Sequence, residues 1–381
     1  MKKIKIFFFI LLAIPLLMWI FWLLTPRKEL VIAIVDKTVL TTGGQEHVSL
    51  HWILNQEKYT KNKTALYRVG RDYFGFFPKD HEQYKIRGLE RFSSSQLDRL
   101  SDDAQVAYVT DTYGIYNREW YTTKDPAKQN GMLYGGLSTQ DLRFLQQMQA
   151  KHKLVITEFN TIGSPTSSDI RQQFENSFGM RWTGWTARYF DSLDTLINKE
   201  LPPWVVQNYK QQHGQVWHFS RDGLVFIHED DRIEILETGE DLKQAIPYIQ
   251  VTAAAQKTYH LPEKMKYPFW FDIVQPQPGQ TEAAADFILD LTSGGGNKLR
   301  KAGIPLRFPA ILHEKATQPK FYYFSGDFCD NPISFYSSYF KGIAAFRFLF
   351  YNSDDKLERK SFFWTFYRPL ITSILAQEKS H

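Results

Sequence analysis

Three short runs in the first half of the chain carry no charge, and each runs on into a carboxylate. Residues 30–35 (LVIAIV) lead into Asp36, 106–109 (VAYV) toward Asp111, and 154–157 (LVIT) into Glu158. A strand that alternates apolar and polar residues shows one face to water. A strand without alternation must be covered on both, as in a parallel sheet flanked by helices. The intervening segments have helical spacing. Residues 45–56 place Val48, Trp52 and the Ile53–Leu54 pair on one side. Ser138 with Asp141, and Thr166 with Asp169, have the spacing of capping boxes. Leu142, Leu145 and Met148, then Ile170, Phe174 and Phe178, follow them at helical intervals. Residues 132–136, ending in Gly135 and Gly136, read as a further short strand. Strand and helix thus alternate from Leu30 to Phe178, which predicts an α/β domain with a mainly parallel sheet.

The texture changes beyond Pro202-Pro203. Short runs at 216–219, 224–227 and 233–236, separated by charged turns, predict a small antiparallel meander. Residues 266–274 and 307–312 read as strands and 282–291 as a helix. A last strand, 320–325, precedes Gly326, Asp327, Cys329 and Asp330, and the chain beyond Lys356 reads as helical. The expected division is 1–28 as cytoplasmic stub and anchor, 29–200 as the α/β domain, 201–319 as a β-rich insertion, and 320–381 as a return to the α/β domain with C-terminal helices.

The anchor is read from residues 6–24, a stretch free of charge and about long enough to cross a bilayer as a helix. Lys2, Lys3 and Lys5 precede it, which predicts an N-terminus in the cytoplasm, a single pass, and an extracytoplasmic bulk. The run is longer than a signal-peptide core and no small-residue cleavage site follows it, so an uncleaved signal-anchor is expected. The net charge of +5 is spread along 381 residues without a basic run, which argues against nucleic-acid binding. One cysteine, Cys329, excludes an intrachain disulfide and a thiolate zinc site.

In open parallel sheets ligands bind beyond the carboxyl ends of the strands. The polar residues expected there are Asp36, Lys37, Asp111, Tyr113, Glu158, Asn160, Asp327 and Asp330. Carboxylates brought together in a dry cleft divide acid and base work, hold a hard cation through oxygen, or bind sugar hydroxyls; otherwise they cap turns and helices. Glu158, with Asp111 or Asp36, is the expected catalytic pair if the protein hydrolyses its ligand. Gly135, Gly136, Trp185 and Arg188 complete the expected ligand-binding set, the last two as a stacking surface. His47 and His51 are four apart, but the glutamate of a zinc-protease helix is missing from between them. No metal and no cofactor are expected.

The order of elements resembles the class I glutamine amidotransferase-like α/β fold, in particular its trehalose-utilisation-like relatives. The likeness rests on the opening strand 31–35, the Gly135-Gly136 elbow followed by a capped helix, and the late strand 321–324 leading to Gly326-Asp327. It implies a flavodoxin-like core. The family's cysteine is absent from the elbow, so the resemblance implies a ligand-binding version without thiol catalysis. The expected function is a membrane-anchored binding domain for saccharide or cell-envelope material. The alternatives are a glycosidase-like carboxylate hydrolase and a non-catalytic subunit of an envelope assembly that uses its aromatic C-terminal helices as contact surface. The expected partners are the bilayer, through residues 6–24, and a saccharide or envelope component.

Overall fold

The computed structural model describes residues 2–122, 130–352 and 354–378, with the side chains of 2–12, 45 and 245 outside the description. The strands are β1 (Ile32–Asp36), β2 (Phe74–Pro78), β3 (Tyr84–Ile86), β4 (Val106–Asp111) and β5 (Leu154–Glu158). There follow β6 (Met180–Phe190), β7 (Gly223–His228), β8 (Ile233–Glu237), β9 (Leu242–Val251) and β10 (Lys264–Lys266). The last four are β11 (Phe271–Pro276), β12 (Thr281–Leu291), β13 (Phe308–Glu314) and β14 (Phe321–Phe324). Ten of them form one sheet in the order β10-β9-β12-β13-β14-β5-β4-β1-β2-β3. In this sheet the run from β14 to β2 is parallel, and its other pairings are antiparallel. A second, antiparallel sheet has the order β8-β7-β6-β11.

The sheet is therefore mixed, which corrects the expectation of a mainly parallel one. The cause is the segment after residue 201, whose strands β9, β12 and β13 extend the same sheet beyond β14. Residues 282–291 were expected to be helical, because alanines dominate their first half. They form the long strand β12, which pairs with β9 on one edge and β13 on the other. Two edges of backbone pairing outweigh a helix propensity of a few tenths of a kcal/mol per residue. Residues 132–136 also differ from expectation. Met132–Tyr134 pairs with Ile115–Tyr116 in a separate two-stranded ribbon, outside the large sheet.

The absence of alternation in the inner strands has the expected cause. Ile32, Ile34, Val106, Tyr108, Leu154 and Ile156 pack on one face, and Ala33, Val35, Ala107, Val109 and Val155 on the other. The first face is covered by α2 (Gln45–Gln56) and by the C-terminal helix, which runs from Lys360–Phe362 through a π-helical stretch, Phe363–Tyr367, into Arg368–Ala376. The second face is covered by α3 (Ser94–Asp103), α4 (Thr139–Ala150) and α5 (Ser168–Phe178). The Ser138–Asp141 capping box read from the sequence starts α4 with its reciprocal bonds formed. By contrast, α5 begins one residue later than expected, with Ser167 at its N-cap and no side-chain cap bond, because the Thr166 hydroxyl instead accepts the Leu137 N–H and donates to the Thr161 carbonyl. Gly75 is required where it stands: at φ 150° its Cα abuts the Asp36 carbonyl, and a Cβ would lie 1.6 Å from that oxygen.

The transmembrane helix read from the sequence is not supported. Among the described residues no helix is long and apolar enough to cross a membrane. The first helix, α1, spans Lys2–Leu24, and the side chains of residues 6–12 of the apolar run lie outside the described residues. The part described from Ala13 onward is docked at its end on the globular body. Trp22 is buried, donates from its indole nitrogen to the Asn55 carbonyl at 2.9 Å, and lies under the Lys58 ammonium at 3.8 Å from the ring centroid.

The aromatic C-terminal helix is core. Phe362, Phe363, Phe366, Tyr367, Leu370 and Ile371 are all buried, so it offers no apolar contact surface to an assembly. Trp52 of α2 meets Phe363 and Trp364 edge-on at 5.1 and 5.2 Å and donates to Ser337 Oγ at 2.7 Å. Trp52→Ala should cost about 3–5 kcal/mol, the usual range for removing a buried Trp or Phe. Denaturant unfolding of the variant beside the parent measures it; a loss under about 1 kcal/mol would show that this packing does not hold the two helices together.

Candidate functional site

The parallel strands run in the order β2-β1-β4-β5-β14, so the chain leaves β1 toward one edge and returns on its other side at β4. The crevice beyond the ends of β1 and β4 is the switch point where such sheets bind ligands. Asp36 closes β1 and Asp111 closes β4, as partners in register.

Asp36 is wholly buried. Its Oδ2 lies 2.5 Å from His47 Nδ1, and its Oδ1 accepts the Thr38 N–H at 3.0 Å. His47 Nε2 faces the Val69 carbonyl at 2.9 Å. Asp111 accepts the Tyr113 N–H at 2.5 Å through Oδ1. Tyr113 is half-buried, its ring tilted against Tyr116. Asp327 and Asp330 come from the loop after β14, where one guanidinium spans both. Arg359 Nη2 lies 2.9 Å from Asp327 Oδ2, and Nη1 lies 2.8 Å from Asp330 Oδ2. Glu46, in the first turn of α2, completes the group. One carboxylate oxygen from each of Glu46, Asp327 and Asp330 lies within 4.8 Å of the others. Burial pushes the Glu46 carboxyl well above its ordinary range, and Asp330, Asp327, Asp111 and Asp36 push it further. Burial, then Asp327, does the same to Asp111, against the Tyr113 hydrogen bond. Asp327 is raised to about 6 by burial, with Arg359 pulling it down and Asp330 pushing it up.

The structure thus gathers Asp36, Asp111, Asp327 and Asp330 of the expected set around Glu46 and Arg359. Glu158 sits differently. It is wholly buried on the face toward the C-terminal helix. Its Oε2 accepts the backbone N–H groups of Phe328 and Cys329 at 2.9 and 2.8 Å, and its Oε1 is hydrogen-bonded to the Tyr108 hydroxyl. Burial raises its pKa well above the usual carboxylate range despite the Tyr108 bond. Its contacts fasten the loop that carries Asp327 and Asp330. Cys329 is buried, and burial with the nearby Glu158 pushes its thiol up.

Lys37 is buried with its ammonium 2.5 Å from Asp141 Oδ2 and 2.9 Å from the Gly136 carbonyl. It ties β1 to the start of α4. Gly135 packs its Cα against the backbone of Gly114 and Tyr113, where a Cβ would lie 2.7 Å from the Tyr113 carbonyl oxygen. Trp185 and Arg188 belong to the second sheet. Trp185 is buried beside His228, and Arg188 pairs with Glu200 at 2.5 Å and lies over the Phe190 ring. Neither enters the carboxylate group. Two members of the cluster were not among the expected site residues. Glu46 had a readable signal, a carboxylate in the first turn of a helix that directly follows a strand-end loop with Gly43-Gly44. Arg359, far along the chain and in no motif, had none.

Asn160 has left-handed backbone, φ 64°, and donates its N–H to Asp272 Oδ2 at 3.2 Å. The Tyr323 hydroxyl donates to the same oxygen at 2.6 Å, while Asp272 Oδ1 is buried without a partner. Burial raises Asp272 to about 7, against those hydrogen bonds. An unfolded aspartate titrates near pH ~4, so between about 4 and 7 the folded state holds a proton that the unfolded state has released. Stability from this group is full below that window and falls as pH rises through it. Asp272→Asn keeps the acceptor without the charge. It should flatten the decline in the urea midpoint between pH 5 and 8; equal slopes for variant and parent would remove Asp272 as the source.

No family model matches the sequence, and a search of curated proteins found no match. Among solved structures the chain is similar to a thua-like protein from Bacteroides uniformis. Identity is 9%, the TM-score is 0.38, and the match covers 93% of this chain and 94% of that one. That description names the group of relatives to which the order of elements was likened.

Proposed function

We propose that the carboxyl cluster at the strand ends is the ligand-binding and acid–base site of a protein that acts on a neutral, hydroxyl-rich molecule of the saccharide class. The observation that supports this is the balance of charge. The Asp36 carboxylate is hydrogen-bonded to the His47 ring, and Asp327 and Asp330 share the Arg359 guanidinium. Glu46 and Asp111 have no cationic partner among the described residues. Burial and like charge favour the protonated form of a carboxyl. A protonated carboxyl donates a hydrogen bond, and its ionised neighbour accepts one, which is what sugar hydroxyls and an acid–base pair require. In this reading Glu46 carries the proton, Asp111 is its partner, and Arg359 holds the remaining charge in place. Glycoside hydrolysis by two carboxyl groups is the reaction that such a pair would serve.

A second reading has its own observation. The three oxygens of Glu46, Asp327 and Asp330 are close enough to share a hard divalent cation. Arg359 already neutralises two of these groups, which favours the first reading.

Thermal-shift measurements on the whole chain, with mono- to oligosaccharides at millimolar concentration, separate the two. A stabilising glycan should lose its effect in Glu46→Ala and keep much of it in Glu46→Gln, since glutamine still donates a hydrogen bond. Hydrolysis, if present, should follow a bell-shaped pH profile whose acid limb disappears in Asp111→Asn. Stabilisation by Ca²⁺ or Mg²⁺ alone, lost in Asp330→Asn, would replace the acid–base reading with the cation reading. No shift with any glycan would overturn the saccharide assignment.

A further inference from the structure

A cavity of about 560 Å³ opens beside the edge of β1, and neither the carboxyl cluster nor the proposed function uses it. It exists because β2 pairs with β1 only at Val35 and Asp36. Below that point the β1 edge has no strand beside it. The Ile32 N–H is met instead by the Tyr67 hydroxyl at 2.7 Å. The floor is apolar, formed by Ile32, Ile34, Tyr67, Phe74, Phe92 and Leu100. The rim is cationic. Arg71, Arg87 and Arg91 line the cavity, and all three are exposed. Among the described residues none of these guanidiniums forms an ion pair, and Arg87 lies over the Phe77 ring at 4.4 Å. The one carboxylate in the lining, Asp72, is already taken by Lys61 Nζ at 2.6 Å and the Arg68 N–H at 2.7 Å.

We infer that this cavity is a binding site for a small amphipathic anion, with an apolar body lying on the β1 edge and a carboxylate or phosphate head held by Arg71, Arg87 and Arg91. The volume lies within the usual span of small-molecule sites, roughly 300–1,000 Å³. The unpaired stretch of edge, Ile32 to Ile34, is too short for an added strand to gain a ladder of backbone bonds. Three like charges around an apolar floor favour a head group of opposite sign, and arginine recognises planar carboxylate and phosphate oxygens with two donors at once. An uncharged apolar molecule would fill the floor and leave the rim unused.

Isothermal titration of the full chain tests the site with four probes: decanoate, decyl phosphate, decanol and inorganic phosphate. Decanoate or decyl phosphate should bind at least 10-fold more tightly than decanol, and inorganic phosphate alone should bind weakly or not at all. Preference for one of the two amphiphiles identifies the head group. Reversing the exposed rim charges, Arg71→Glu with Arg87→Glu and Arg91→Glu, should weaken the anionic probe at least 10-fold and leave decanol unchanged. Circular dichroism and the denaturation midpoint verify that this variant folds. Leu100→Trp, which fills the floor and leaves the arginines, should also abolish binding. Equal affinity for decanol and decanoate, binding untouched by the charge reversal, or no binding of either amphiphile at millimolar concentration would overturn the assignment.

Discussion

The strand-end site depends on two hydrogen bonds made by a residue outside it. Glu158 Oε2 receives the backbone N–H groups of Phe328 and Cys329, two wholly buried residues in the turn after β14. Without an acceptor, each amide would lose its hydration uncompensated, at a cost of about 1–3 kcal/mol. A carboxylate at the end of the neighbouring parallel strand is placed to meet both. Phe324 is the register partner of Glu158, so the turn begins where that side chain ends. With 328 and 329 fixed, Asp327 and Asp330 flank them, and the forked guanidinium of Arg359 reaches one with each terminal nitrogen. A lysine could not span them in the same way, since its ammonium is a single point charge.

Electrostatics then decides what Glu46 does. Its place in the first turn of α2 favours the ionised form by about 0.3–1 kcal/mol through the helix dipole. A unit negative charge within 4.8 Å would oppose it by about 3–4 kcal/mol at an effective dielectric near 20, an amount that Arg359 reduces here by pairing with both Asp327 and Asp330. Burial, with the remaining repulsion, pushes the Glu46 carboxyl up against the dipole. Asp36 and Asp111 differ in their partners: the Asp36 carboxylate faces the His47 ring nitrogen at 2.5 Å, and Asp111 accepts the Tyr113 N–H.

The inner strands were legible because full burial removes alternation, and their carboxylate ends were legible as the place to look. The missing alternation also hid which face each strand end would take. Residues 154, 156 and 158 share the face packed against the C-terminal helix, so Glu158 became the fastening of a loop, although it was the most prominent carboxylate in the sequence. The antiparallel half was less legible. The alanines of β12 read as helix, and nothing local states that both its edges would find partners. Arg359 was invisible for the same reason: its role exists only once a loop near residue 330 and a helix start near 360 are brought together.

The boundary between the two halves of the sheet gives the site its walls. Strand β14 pairs in parallel with β5 and antiparallel with β13, so its far end emerges where the sheet changes direction. There the second sheet joins the first. Phe271 bridges to Gly326, and the Asp272 N–H donates to the Ser325 carbonyl at 2.6 Å. The turn at 325–331 is thus held from three sides, by Glu158, by β11 and by Arg359. A purely parallel sheet would have left that turn free beyond the last strand. Here the antiparallel extension makes it a rigid lip, and a carboxyl cluster whose members repel one another needs that rigidity, because nothing in their mutual charge would keep them together.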